Sequence, residues 1–179
     1  CWLLERGHCD AVIQTGADPE QPMQNRTKIL TTPLEVSENA GSRYAPSSPL
    51  SIIRMIENDP RRFAFVGKPC DIAALRKLIS LRPELQSRFV SLISFFCAGV
   101  PSQKGTEALL NRLRIPAKDV ATFQYRGNGW PGMTRAVSNE GRIYELTYNE
   151  AWGRVLNKHL QARCKICADG SGEAADIVC

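Results

Sequence analysis

Two segments of the chain, Phe63-Ala64-Phe65-Val66-Gly67-Lys68-Pro69-Cys70 and Leu92-Ile93-Ser94-Phe95-Phe96-Cys97-Ala98-Gly99, each run an apolar, strand-like stretch straight into a cysteine. Far downstream, Cys164-Lys165-Ile166-Cys167 adds a C-x-x-C pair. If the two apolar segments are neighbouring parallel strands, their carboxyl ends lie side by side, at the edge where open α/β sheets hold ligands. Cys70, Cys97, Cys164 and Cys167 then form a four-thiolate set. Thiolates are the natural ligands of soft metals, and a helix starting at Cys70 favours its thiolate through the peptide dipoles. Arg163 and Lys165 offset part of the negative charge. Four cysteine sulfurs suit a tetrahedral structural zinc or a [4Fe-4S] cluster equally well, and spacing alone leaves both open. The isolation of Cys70 and Cys97 at strand ends, in place of two local knuckles, leans toward a cluster at a functional edge. Ordinary buried thiols are the plainest alternative, and that reading is preferred for Cys1, Cys9 and Cys179, which have no partner pattern.

Two loops carry further polar chemistry. Gly41-Ser42-Arg43-Tyr44 can offer backbone N–H groups, a hydroxyl and a guanidinium to a phosphate, although a connection of this composition is also commonplace. Arg126-Gly127-Asn128-Gly129-Trp130-Pro131-Gly132 follows a strand and has the glycines to bring backbone close to a flat ligand while Arg126 meets an anion; a tight link into a hairpin is the competing reading. His8 and His159 form no ligand motif.

The elements that must position these groups follow from periodicity and punctuation. Cys1 to Arg6 reads as the last turns of a helix closed by Gly7. Strands are expected over 10–15 and 28–32, with loop between them to Asn25 and a glycine-containing connection over 38–44. A helix is expected from Pro49 to about Asn58, capped by serine. Then come strand 63–66, helix 70–80 with Ile72, Leu75 and Ile79 on one face, strand 89–96, helix 103–113 and strand 120–125. This alternation argues for an α/β fold with a mostly parallel sheet flanked by helices. Segments 134–137 and 142–147 around Ser138-Asn139-Glu140-Gly141 predict a small antiparallel hairpin extension, and a helix over 149–160 leads to the C-terminal cysteine-containing segment.

Composition bounds the rest. With 179 residues, 43% of them hydrophobic, the chain can bury one substantial core. No apolar run is long enough to span a membrane or act as a signal peptide. Seven cysteines without an export signal point to a reducing, cytoplasmic setting, where clustered thiols are metal ligands or redox groups. The net charge of +5 is scattered, without basic runs or interleaved aromatics, so no nucleic-acid surface is expected. Residue 1 is cysteine and the chain stops in the apolar run Ile177-Val178-Cys179, so it reads as an internal fragment of a larger protein.

Taken together, Gly67-Lys68-Pro69-Cys70-Asp71-Ile72, Phe95-Phe96-Cys97-Ala98-Gly99, the 125–132 segment, Cys164-Lys165-Ile166-Cys167-Ala168-Asp169 and Glu173-Ala174-Ala175-Asp176-Ile177 resemble, in order and interval, the coenzyme F420 hydrogenase/dehydrogenase beta subunit family. Gly41-Ser42-Arg43-Tyr44 resembles that family's N-terminal segment, so the resemblance runs from Leu3 onward, divided into an N-terminal part over 1–61 and a flavin and iron–sulfur part over 62–179. The resemblance implies an oxidoreductase subunit with one FAD and a [4Fe-4S] cluster, exchanging electrons between a redox partner subunit and a deazaflavin or other two-electron acceptor. It implies Cys70, Cys97, Cys164 and Cys167 as cluster ligands, and Ser42, Arg43, Tyr44, Lys68, Arg126 and Asn128 around the flavin. A cluster handles single electrons and a flavin converts them to a hydride, so no side chain is required as acid or base and none is assigned a catalytic role. Two other readings stand beside it: an interaction module stapled by tetrathiolate zinc, and a flavin-binding α/β domain in which Cys70 or Cys97 is a reactive thiol.

Overall fold

A computed structural model describes residues 1–127 and 129–179. After a short helix, α1 (Trp2–Glu5), the chain turns through Gly7 in the left-handed region and enters β1 (Ala11–Ala17), which pairs antiparallel with β2 (Asn25–Leu30). A second helix, α2 (Pro33–Glu38), follows in a stretch to which the sequence reading assigns no element. Its signal is local: Thr32 and Glu35 form a reciprocal capping box around Pro33, each side chain accepting a backbone N–H of the other. The helix expected from Pro49 is instead a 3₁₀ segment ending at Arg54, and Ser48 caps it with no side-chain bond.

The next stretch positions the site. β3 (Phe63–Val66) runs parallel to β1 on one side and to β4 (Phe89–Ser94) on the other, with Val66 opposite Ile93. Between them, α3 (Pro69–Leu81) starts on Pro69 at its first position, and the Asp71 carboxylate accepts the Lys68 backbone N–H at 3.1 Å. A two-residue strand, β8 (Ile177–Val178), completes the sheet beside β4, giving the order β2-β1-β3-β4-β8 with only the β1–β2 pair antiparallel. Residues 1–61 and 62–179 therefore contribute to one sheet.

Alternation along the strands assigns the two faces. Ala11, Ile13, Phe63, Phe65 and Leu92 pack with Ile72 and Leu75 of α3 and with Ile52 and Ile53 of the 3₁₀ segment, forming the main core. Val12 and Ala64 face the other way and are covered by Leu3 and Leu4 of α1, Val36 of α2 and Cys9 just before β1. Both faces of the parallel strands are covered, as that architecture requires.

Beyond β4 the chain forms α4 (Gln103–Leu113) and then β5 (Val120–Gly127). The alternating pattern assigns this strand to the parallel sheet. It leads instead a separate antiparallel sheet with β6 (Met133–Ser138) and β7 (Ile143–Leu146), in the order β5-β6-β7. Leu109, Leu110 and Leu113 pack on Phe123, Tyr125 and Ala136 to make a second core. Tyr125 lies at its centre, with its hydroxyl 2.8 Å from Thr106 Oγ1 and donating to the Met23 carbonyl at 2.8 Å. Burial pushes its pKa up to about 12, above its ordinary value near 10. The neutral phenol is the form the fold favours, so its stabilising share is complete below about pH 10 and lost as the pH rises toward 12. Tyr125→Phe is expected to cost about 1–3 kcal/mol at neutral pH and to flatten the pH dependence in that alkaline window, as read from denaturant unfolding across pH.

The helix expected over 149–160 is broken in two. Asn149–Gly153 makes a wide π turn and Leu156–His159 a 3₁₀ turn. The reason lies across the chain: Leu156 is drawn fully into the second core, while the following backbone bonds sideways, Ser102 N–H to the His159 carbonyl at 2.8 Å and Gln161 N–H to the Val100 carbonyl at 3.1 Å. Leu160 forms an isolated antiparallel bridge with Pro101. That bridge delivers α5 (Ala162–Lys165), and with it the C-x-x-C pair, to the end of β4.

Candidate functional site at the carboxyl edge of the sheet

Cys70 occupies the second position of α3, four residues past β3, and Cys97 lies three residues past β4. Because these strands are parallel neighbours, the two cysteines share the sheet's carboxyl edge. Cys164 and Cys167 arrive from α5 and the turn after it, and all four cysteines line one cavity of about 140 Å³ together with Lys68, Gly99, Arg163 and Asp169. Three sequence-distant pieces of chain thus converge on one wall of thiols. Among the described residues, no three His, Cys, Asp or Glu side chains stand close enough to hold a single metal ion.

Local bonding explains how the cavity keeps its shape. The Cys97 N–H donates to the Gly170 carbonyl at 2.9 Å, and the Asp169 carboxylate accepts the backbone N–H groups of Ser171 and Gly172, fixing the turn that bears Gly170. Downstream, Asp176 accepts the Leu92 N–H at 2.7 Å through Oδ2 and pairs with Arg76 through Oδ1, which pins β8 to β4. Gly99 has φ near +108°, and a Cβ there would meet Leu160 Cδ2 at 3.1 Å and Cys164 Cβ at 3.3 Å. Only glycine lets the Cys97 turn approach α5 this closely.

The sulfurs also receive backbone donors. Val100 N–H points to Cys164 Sγ at 3.4 Å, and Gly99 bonds the Cys97 thiol. Such N–H···S bonds are among the groups that tune thiolate-bound metal centres. The lowered thiol pKa expected for Cys70 is not what its surroundings give. Desolvation pushes its thiol up, Asp71 acts in the same sense, and Lys68 and Arg163 oppose them. Cys97 is likewise raised, chiefly by desolvation.

The loop residues separate into different roles. Lys68 belongs to the cysteine cavity, with Nζ 2.5 Å from Asp71 Oδ2 and donating to Ser47 Oγ at 2.8 Å. Ser42 bridges the backbone of Arg126 and, with Gly41 and Arg43, lines a second cavity of about 210 Å³ bounded by Asn39, Phe123 and Gln124. Arg43 is engaged internally. It donates to Asn25 Oδ1 and to the carbonyls of Pro22, Gln24 and Phe123, and lies over the Tyr125 ring. With four of the five guanidinium N–H groups so occupied, it braces the loop rather than offering itself to a phosphate. The signal that could have anticipated this was the second apolar core forming beneath it.

Tyr44 packs against Trp152 with ring centroids 4.6 Å apart and planes tilted by 46°, and accepts a bond from Arg126 at 3.3 Å. Arg126 lies over the rings of Trp130, at 4.5 Å, and Tyr148, at 5.4 Å. The Trp130 ring is 83% exposed. Asn128 lies outside the described residues.

Comparison with known proteins matches two family models to the chain, one after the other. Family models described as coenzyme F420 hydrogenase/dehydrogenase, beta subunit, N-term and C terminus match residues 1–54 and 60–179 respectively. The coenzyme F420 hydrogenase subunit beta of Methanococcus voltae is 26% identical over 174 residues, covering 92% of this chain and 57% of the relative. The coenzyme F420-dependent sulfite reductase of Methanocaldococcus jannaschii is 25% identical over 194 residues, covering 98% of this chain and 28% of that protein. The chain therefore spans little more than half the length of the first relative and under a third of the second. A chain of the F420-reducing [NiFe] hydrogenase complex from Methanosarcina barkeri shares the fold, with a TM-score of 0.70 at 19% identity over 98% of this chain and 59% of that one. No helix among the described residues is long and apolar enough to cross a membrane. With its N- and C-terminal models matched in order along almost its whole length, the chain belongs to the coenzyme F420 hydrogenase/dehydrogenase beta subunit family.

Proposed function

We propose that this chain is part of an oxidoreductase subunit that passes electrons between a redox partner subunit and a two-electron acceptor, a deazaflavin or a molecule of similar chemistry, using FAD and a [4Fe-4S] cluster. The observation that carries the reading is the convergence of Cys70, Cys97, Cys164 and Cys167 on one cavity at the sheet's carboxyl edge. Membership of the beta subunit family is what favours a cluster over zinc at these four cysteines.

The chain's own residues would hold these groups in distinct ways. The four cysteines would ligate the cluster, while Val100 and Gly99 N–H groups orient two of the sulfurs. Ser42, Tyr44 and Arg126 remain the proposed flavin contacts, with Asn128 beside them in sequence, while Lys68 is held on the cysteine cavity by Asp71 and Ser47. Arg43 supports the same loop from beneath. When bound, the two groups supply one-electron transfer and its conversion to two-electron chemistry. The protein keeps Arg126 and Tyr44 fixed against aromatic neighbours so that a flat ligand meets a preformed surface.

The test is an anaerobic visible spectrum with iron, sulfide, zinc and flavin assays on one preparation of the full-length protein. Broad absorbance bleached by dithionite, with iron, sulfide and FAD, is the expected result. Stoichiometric zinc without iron or flavin would replace this reading with that of a zinc-stapled interaction domain.

A further inference from the structure

A buried cation stands in the wall of the cysteine cavity. Lys68 is 8% exposed and lines the cavity with Cys70 and Cys97, yet it is not a ligand. Its ammonium is fixed from two sides, by Asp71 Oδ2 at 2.5 Å and Ser47 Oγ at 2.8 Å. Asp71 is itself anchored in the first turn of α3 by the Lys68 backbone N–H. Charge held this way has little freedom to swing out and is screened little by salt, unlike the exposed Arg163 on the same cavity.

We propose that Lys68, held by Asp71 and Ser47, is a positioning residue that sets the electrostatic potential of the cysteine cavity and so raises the reduction potential of the group it holds. This rests on the cluster reading above. Reduction adds one electron to a site that already carries four thiolates, and no bond or proton need move. A fixed positive charge in a low-dielectric wall favours the more negative, reduced form, and a fixed carboxylate disfavours it. Lys68 and Asp71 therefore act with opposite signs, and the observed potential reflects their balance.

The experiment is a dithionite titration followed by electron paramagnetic resonance on the anaerobically reconstituted full-length protein, as wild type, Lys68→Met, Lys68→Arg and Asp71→Asn, with iron and sulfide measured on each. Lys68→Met is expected to shift the reduction equilibrium against the reduced form about tenfold, which is about 59 mV for a one-electron couple. Asp71→Asn is expected to move it the other way, and Lys68→Arg to restore most of the wild-type value. An unchanged potential in Lys68→Met at wild-type iron content would overturn the inference while leaving the cluster. Shifts of the same sign in Lys68→Met and Asp71→Asn would also overturn it, because they indicate a loosened cavity and not a charge effect. If Lys68→Met fails to load iron, Asp71→Asn decides alone: a positive shift supports the inference and no shift overturns it. A wild-type protein without iron and sulfide removes the cluster reading, and this inference with it.

Discussion

Cys97→Ala is expected to lose its iron and sulfide almost completely while keeping its fold. Cys97 is where the three pieces of the site meet: its backbone N–H is held by Gly170, its sulfur is bonded from Gly99, and its side chain faces Cys164 and Cys167 across one cavity. Removing a group that merely supports a ligand typically costs about 10–100-fold in metal affinity, and removing the ligand itself must exceed that. The thiol is only partly buried and packs in no apolar cluster, so stability should change little. Cys1→Ser is the matched control. Its sulfur lies at the opposite end of the chain, near the Pro33 carbonyl and Ser37 Oγ, and iron content should be unaffected. Equal iron in Cys97→Ala and wild type, by colorimetric assay with circular dichroism alongside, would sink the ligand assignment.

Gly99→Ala should damage both stability and loading, and a second glycine separates the causes. Gly99 and Gly129 share a φ near +108°, but a Cβ at Gly99 meets Leu160 and Cys164 at 3.1 and 3.3 Å, whereas one at Gly129 meets nothing within 4 Å. Each substitution incurs a backbone penalty of about 1–3 kcal/mol. For a chain of this size, 2 kcal/mol lowers Tm by roughly 4–8 °C. Only Gly99→Ala also displaces the segment carrying Cys164, so only it should lose iron in addition. Thermal unfolding and iron content measured on both variants give the comparison. If Gly129→Ala loses as much iron as Gly99→Ala, crowding at α5 is not what shapes the cavity.

The parallel pair β3–β4, and with it the placement of Cys70 and Cys97, was legible because a run of apolar residues ending in a proline-led helix or a glycine turn has few alternatives. α3 was legible for the same reason, through Ile72, Leu75 and the proline at its first position. α2 was missed although Thr32, Pro33 and Glu35 spell its capping box, because six residues give no apolar period to notice. The assignment of β5 to the wrong sheet has a different cause. Strand-helix-strand alternation describes local structure, while the partner of β5 is decided by β6, and by α4 burying Leu109 and Leu110 against the new sheet. The helix expected over 149–160 failed for a reason no local pattern carries, since His159 and Gln161 exchange backbone bonds with the 100–102 segment. Arg43 shows the limit for side chains: its type and loop position suit an anion, and its bonds to Pro22, Gln24 and Phe123 are long-range. β8 was unreadable, being two residues whose strand identity comes from lying beside Ile93 and Ser94.

The bridge from Pro101 to Leu160 has a bearing on assembly. It brings Cys164 and Cys167 to the sheet across a long stretch of chain that contains the whole antiparallel sheet. Contacts so distant in sequence are closed late, because the entropy of the intervening loop must be overcome first. A molecule that goes astray anywhere between β4 and α5 can present two sulfurs but not four. On the cluster reading, colour in a preparation would count the molecules in which all four sulfurs have come together.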